Sequence, residues 1–190
     1  MGIKTFFDYT LAVLLLPVFL PVILILIVIS TIDTQEFGVF THQRVGKDGK
    51  IFSIYKIRSM KGNKEAEFTS SGSPNITAFG KFIRKTKLDE LPQLFNILLN
   101  QMSFVGPRPD IPGYADELKN GDRIILTVKP GITGPAQLAY KNEEIILSQQ
   151  KNPLQYNDEV IWPDKIRINK EYVENWSFYK DLTYIFKTIF

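Results

Sequence analysis

The chain contains no cysteine and a single histidine, His42. Without cysteine there is no disulfide scaffold, no thiolate zinc site and no thiol nucleophile. With one histidine there is no multi-histidine metal site. Charge of one sign is also scarce: 23 Lys plus Arg against 20 Asp plus Glu leave a net charge of +3 over 190 residues. That excess is too small to argue for nucleic acid by itself. No P-loop, Rossmann glycine pattern or Ser/His/Asp set is visible. Chemistry on this chain therefore has to run on carboxylates, Lys, Arg and hydroxyls. The length fits one domain, or one domain plus an appendage.

What is present in excess is an apolar run. Residues 9–32 carry no charge, and residues 11–29 are almost wholly aliphatic or aromatic, long enough to cross a bilayer as a helix. A cleaved signal peptide is disfavoured, because Ser30-Thr31-Ile32 offers no small-x-small site. A spanning anchor and a re-entrant hairpin remain. Pro17 and Pro21 lie inside the run, and each removes a backbone donor and opposes a straight helix. Pro21 divides the run into residues 11–20 and 21–32, legs of roughly 15–18 Å, near half a bilayer core. Lys4 precedes the run; Arg44, Lys47 and Lys50 follow it. Positive charge on both flanks favours keeping both on the cytoplasmic side. A hairpin satisfies that, and a proline-kinked spanning helix is the alternative.

Beyond residue 33 the composition is that of a globular domain. Val39-Phe40-Thr41 and Ile51-Phe52-Ser53-Ile54-Tyr55 read as strands joined by a turn at Gly46-Lys47-Asp48-Gly49. Residues 61–77, with Ser71-Gly72-Ser73-Pro74, read as a mobile polar loop. Helical spacing predicts one helix over 78–87 and another from Pro92 to about Asn100. Residues 103–114 and 129–135 are so rich in Pro and Gly that they read as constrained loops, with a helix over 115–128 between them. Residues 140–175 read as polar with helical stretches. The aromatic-rich tail (Tyr172, Trp176, Phe178, Tyr179, Tyr184, Phe186, Phe190) suits either a membrane interface or the domain core.

Three places could carry chemistry. Asp89-Glu90 falls at the junction between the two helices. There both carboxylates can face one site, and helix N–H groups would help keep an Asp ionised as a nucleophile. Simple helix capping is the plainer reading. Arg84, with Lys81, Lys85 and Lys87, offers cations for a phosphate or for anionic lipid headgroups. The segment holding Arg44, Lys47, Lys50, Lys56, Arg58, Lys61 and Lys64 is also basic. Because a membrane segment lies beside it, nucleic acid is not expected as a partner. Arg108 stands between Pro107 and Pro109, where a fixed backbone limits the entropy lost on binding. Arg suits bidentate phosphate recognition; a structural ion pair is the alternative.

Taken together, the segments resemble those of a known family. The residues are Arg44-Val45-Gly46 with Gly49 and Phe52; Lys56-Ile57-Arg58-Ser59-Met60; Gly80-Lys81-Phe82-Ile83-Arg84; Leu88-Asp89-Glu90-Leu91-Pro92-Gln93-Leu94; Met102-Ser103-Phe104-Val105-Gly106-Pro107-Arg108-Pro109; and Lys129-Pro130-Gly131-Ile132-Thr133-Gly134. In that order and near that spacing, the chain resembles the bacterial sugar transferases, the monotopic phosphoglycosyl transferases that start glycan assembly on polyprenol phosphate. The resemblance implies an α+β, mostly helical fold. It would have a re-entrant helix-break-helix (residues 1–33, break at Pro21), then a cytosolic catalytic domain (34–190) with a short β-hairpin and amphipathic interfacial helices.

It also implies a location on the cytoplasmic face of the bacterial inner membrane. Asp89 would attack the β-phosphate of a UDP-sugar, release UMP and carry the phosphosugar until polyprenol (undecaprenyl) phosphate takes it. Mg²⁺ would bridge the diphosphate and the dyad. Glu90 would assist with metal binding or proton handling, and Arg84, Arg108, Lys56 and Arg58 would bind substrate. A sugar-only transferase releasing UDP and a non-catalytic membrane-anchored scaffold are the competing readings. The sugar is not legible, though residues 136–165 are the expected discriminator; nor is oligomeric state, so a homo-oligomer stays open.

The chain departs from the family pattern at Leu20, where Ser is frequent, at Pro17, at Gln101, where Asp is frequent, and at Pro135, where Trp is usual. With no large N-terminal addition it resembles the small, catalytic-only form.

Overall fold

A computed structural model describes residues 2–62 and 75–189. Lys64 and Ser71-Gly72-Ser73-Pro74 lie outside the described residues. The elements in chain order are helix α1 (Gly2–Thr34), strands β1 (Val39–Val45) and β2 (Ile51–Ile57), helices α2 (Ala78–Lys85) and α3 (Gln93–Leu98), strands β3 (Ser103–Val105) and β4 (Gly131–Thr133), and helices α4 (Pro135–Ala139), α5 (Glu143–Ser148), α6 (Pro153–Tyr156), α7 (Trp162–Glu174) and α8 (Phe178–Ile189). Among the described residues the result is a mostly helical α+β fold with two two-stranded sheets, β1-β2 and β3-β4.

The described residues pack as two compact units. One holds Phe6–His42 and Ser53–Leu99. The other holds the residues up to Thr5, Gln43–Phe52 and the chain from Asn100 onward. This is a division by packing, whereas the boundary expected at residue 33 is one of solvent.

In the first unit, α1 is helical without interruption through Pro17 and Pro21. The two legs expected around Pro21 are joined with no non-helical residue between them. The physical reason is local. Proline at 21 removes the bond to the carbonyl of residue 17, itself a proline, so both defects fall on one side of the helix. Apolar neighbours continue the remaining ladder across them. Ile23, Leu26, Ser30 and Thr34 form one buried stripe. Ile23 and Leu26 pack with Ile57 of β2 and Ile83 of α2, flanked by Leu88, Leu91 and Phe95. The opposite faces are bare hydrocarbon: Leu14, Val18, Leu24 and Val28 are each more than half exposed. By length and composition α1 could cross a membrane. Gly38 presses so closely on the helix that a Cβ would lie 2.2 Å from the Ile27 carbonyl oxygen. Its N–H donates to Thr31 Oγ1 at 2.9 Å, and Ser30 Oγ donates to the Arg58 carbonyl at 2.6 Å.

In the second unit, β3 and β4 pair in parallel, Ser103 opposite Gly131 and Val105 opposite Thr133. Within the two segments expected as loops, Ser103–Val105 and Gly131–Thr133 are therefore corrected to short strands. Residues 115–128 form two 3-10 segments, Ala115–Glu117 and Asn120–Thr127, instead of the expected helix. Extended backbone at Lys119 and a left-handed Asn120 (φ 51°) separate them, while Ile125 and Leu126 pack with Val45 and Ala115.

Candidate active site

The expected catalytic dyad stands on a short turn whose shape the flanking elements impose. Helix α2 begins at Thr77, whose hydroxyl accepts from the Gly80 N–H at 2.8 Å. It ends where Lys87 adopts a left-handed conformation (φ 59°) and reverses the chain. Leu88–Glu90 then makes one 3-10 turn before Pro92 leads into α3. Leu88 and Leu91 pack into the core around Ile57 and Ile83, which pins the turn on either side of the acids. Asp89 is buried at 7% exposure.

Lys56 of β2 reaches both acids, with its Nζ 2.8 Å from Glu90 Oε1 and 3.9 Å from Asp89 Oδ2. Burial pushes the Asp89 carboxyl above its ordinary range. Lys56 opposes that most strongly, Glu90 adds to it, and Lys87 and Arg84 oppose it weakly. Burial outweighs the nearby positive charges, so the net direction is upward.

Lys56 is held in place by a residue that the sequence reading did not single out. Asn96 of α3, fully buried, accepts from the Tyr55 N–H through Oδ1 at 3.1 Å. It also donates from Nδ2 to the Ser53 carbonyl at 2.8 Å. This amide brackets the strand segment that delivers Lys56 and fixes its register against α3. The available signal was a polar residue inside the apolar helical run Leu94-Phe95-Asn96-Ile97.

Arg84 lies on α2, and its Nε donates to Ser59 Oγ at 2.8 Å. Gly80, one turn earlier, lets the helix backbone approach the Ser59 carbonyl, where a Cβ would sit at 2.0 Å. Arg58 is turned elsewhere. It pairs with Glu36 at 2.9 Å, donates to the Phe37 carbonyl at 2.9 Å and stacks over Phe40. The first unit thus gathers Lys56, Asp89 and Glu90 directly, places Arg84 near Asp89 and commits Arg58 to the hairpin.

In the second unit, Arg108 is exposed between buried Pro107 and Pro109. Its loop is tied to the Lys129-Pro130-Gly131-Ile132-Thr133-Gly134 stretch. Gly106 N–H donates to the Thr133 carbonyl at 2.9 Å, and Gly131 N–H to the Pro107 carbonyl at 2.8 Å. Two separate sequence motifs are therefore one hydrogen-bonded structure. Asp110 follows, and its carbonyl accepts from Val45 N–H at 2.8 Å. Burial pushes its carboxyl up to about 6, against the nearby cations Lys165, Arg108 and Arg44.

A buried Asp beside a Glu and a Lys suits nucleophilic or acid–base work on a phosphate. Comparison with known proteins narrows this. The bacterial sugar transferase profile matches residues 1–190. The chain belongs to the bacterial sugar transferase family. It is 33% identical to the undecaprenyl-phosphate galactose phosphotransferase of Salmonella typhimurium, over 98% of this chain and 39% of that protein. It is 35% identical to the UDP-N-acetylgalactosamine-undecaprenyl-phosphate N-acetylgalactosaminephosphotransferase of Aeromonas hydrophila, over 98% and 43%. It is 32% identical to the UDP-glucose:undecaprenyl-phosphate glucose-1-phosphate transferase of Escherichia coli, over 96% and 38%. The chain thus spans about two fifths of the length of these relatives.

Proposed function

We propose that this chain transfers a phosphosugar from a UDP-sugar to undecaprenyl phosphate, with Asp89 as the nucleophile. The observation that carries this reading is the buried Asp89 next to Glu90, with Lys56 reaching both. The names of the relatives support the substrate classes.

In the first step an Asp89 carboxylate oxygen attacks the β-phosphorus of the donor. The bond from that phosphorus to the bridging oxygen breaks, and UMP leaves with the electron pair. In the second, a phosphate oxygen of undecaprenyl phosphate attacks the same phosphorus. The acyl phosphate bond breaks, the Asp89 carboxylate returns, and undecaprenyl-diphospho-sugar is the product. Lys56 keeps a positive charge beside both carboxylates, which would otherwise repel an incoming diphosphate. Arg84 and Arg108 are assigned to phosphate contact.

Among the described residues no three carboxylates or histidines gather as a cage for a metal. Asp89 and Glu90 are nonetheless hard oxygen donors of the kind Mg²⁺ uses when substrate phosphates complete its shell. The donor set fits that ion. Mg²⁺ bound there would neutralise diphosphate charge.

The deciding experiment is identification of the released nucleotide, with purified protein, undecaprenyl phosphate, Mg²⁺ and a panel of UDP-sugars. UMP from one donor is expected. UDP would turn the assignment to a sugar-only transferase, and silence beside a working positive control to a scaffold.

Lys56→Met removes the strongest influence holding the Asp89 carboxyl down. A nucleophile must be ionised, so the expected result is an acidic limb of the rate profile displaced to higher pH. Activity at low pH should fall more than activity at high pH. An unshifted profile would separate Lys56 from Asp89.

For the membrane segment we propose a re-entrant placement on the cytoplasmic face, with α1 bent at Pro17 and Pro21. Positive charge on both flanks supports it. A cysteine introduced at position 2 is expected to label only from the cytoplasmic side.

A further inference from the structure

The beginning of α1 is held by a carboxylate near the other end of the chain. Asp181, in the first turn of α8, is buried at 3% exposure. Its Oδ2 accepts from Lys4 Nζ at 2.6 Å and from Trp176 Nε1 at 2.9 Å, and its Oδ1 accepts from Tyr172 OH at 2.7 Å. Three donors on one buried carboxylate make a built site, and Lys4 is its only cation among them. Lys4 is also the only Lys or Arg within residues 1–43.

We propose that Asp181 is a latch that receives Lys4 and thereby decides the topology of α1. The argument is one of sidedness. Were α1 to span, its 33 residues at about 1.5 Å each would carry Lys4 across the bilayer from Thr34. Among the described residues α1 is the one helix long and apolar enough to cross. Asp181 therefore lies on the same side as the chain leaving Thr34. An ion pair between Lys4 and Asp181 and a spanning α1 exclude each other. Removing Lys4 takes the cation from a buried carboxylate, so the latch opposes insertion of the N-terminus into the far leaflet. This rests on the re-entrant reading of α1, not on the chemistry of Asp89.

The absence of native cysteine makes the test direct. Gly2→Cys is probed in sealed membranes with an impermeant maleimide. Externally labelled protein should be negligible with Lys4 and Asp181 intact. Lys4→Asp and Asp181→Lys should each raise it several-fold, and the double exchange should return it to the starting level. If Asp181→Lys leaves labelling unchanged, or the double exchange stays as high as Lys4→Asp alone, Lys4 acts as a free charge and the latch is wrong. If Gly2→Cys labels externally with both partners intact, the re-entrant reading itself fails, while nucleotide release is unaffected.

A second measurement does not depend on mis-inserted variants. Lys4→Cys with Asp181→Cys should be joined by a short bifunctional thiol reagent in native membranes. Absence of that product would overturn the proposal.

Discussion

Asp89→Asn is expected to eliminate nucleotide release, by at least about 10³-fold, with the protein still membrane-bound and folded. Loss of a nucleophile removes the covalent route, because an amide cannot form or release the acyl phosphate. The substitution keeps size and removes charge at a site where burial already disfavours the charged form. Stability should therefore hold or rise slightly, and the effect should sit in turnover. The check is UMP formation under the conditions used for the unsubstituted protein, together with retention of label from a β-phosphorus-labelled donor. Substantial turnover by Asp89→Asn, with contamination excluded, would remove Asp89 from the nucleophile role. Glu90→Gln should behave differently. It loses the charged 2.8 Å partner of Lys56 but keeps the proposed nucleophile, so labelled intermediate should remain detectable.

The largest effect on stability is expected from Gly131→Val. A Cβ at 131 would lie 2.1 Å from Gly106 N, 2.4 Å from Thr133 O and 2.7 Å from Val105 C. Every one of these is backbone, so no side chain can swing aside. The constraint is close approach, since residue 131 is not in the left-handed region. The parallel pairing of β3 with β4 has to open to admit the side chain, and with it the hydrogen bonds that tie the Pro107-Arg108-Pro109 loop in place. A loss of about 3 kcal/mol or more is expected. For a chain of this length that lowers the unfolding midpoint by about 6–12 °C. Thermal unfolding in detergent or nanodiscs reads it directly, and an unchanged midpoint would show that this pairing is dispensable.

Much of this molecule was legible along the chain, because much of it rests on local signals. The uncharged run of residues 9–32 reads as a membrane-length apolar helical segment by composition alone, although its prolines also read as a break that the continuous helix does not show. The hairpin follows from β-branched and aromatic runs flanking Gly46-Lys47-Asp48-Gly49. Pro92 marks the start of α3 because its fixed backbone angle suits that position. Asp89 and Glu90 were legible as a junction pair for the same reason.

What the sequence could not carry is whatever depends on a distant partner. Parallel pairing of Ser103–Val105 with Gly131–Thr133 joins segments whose glycines and prolines read locally as loops. Their strand character exists only when each faces the other. Residues 115–128 have the composition of a helix, yet tertiary packing of Ile125 and Leu126 and the left-handed Asn120 hold them in 3-10 turns. A left-handed Lys87 has no residue signature at all.

By itself, then, the sequence picked out the candidate residues for the chemistry, where the apolar helix lies and where its neighbours begin. These follow from side-chain type and short-range backbone preference. Only the tertiary structure decided that Asp89 is buried beside Lys56 and Glu90. It alone brought Lys56 to the dyad through Asn96, engaged Arg58 with Glu36, and set Lys4 on Asp181 across 177 residues of chain. Those outcomes depend on desolvation and on charges meeting in space, and neither is a property of any stretch of sequence taken alone.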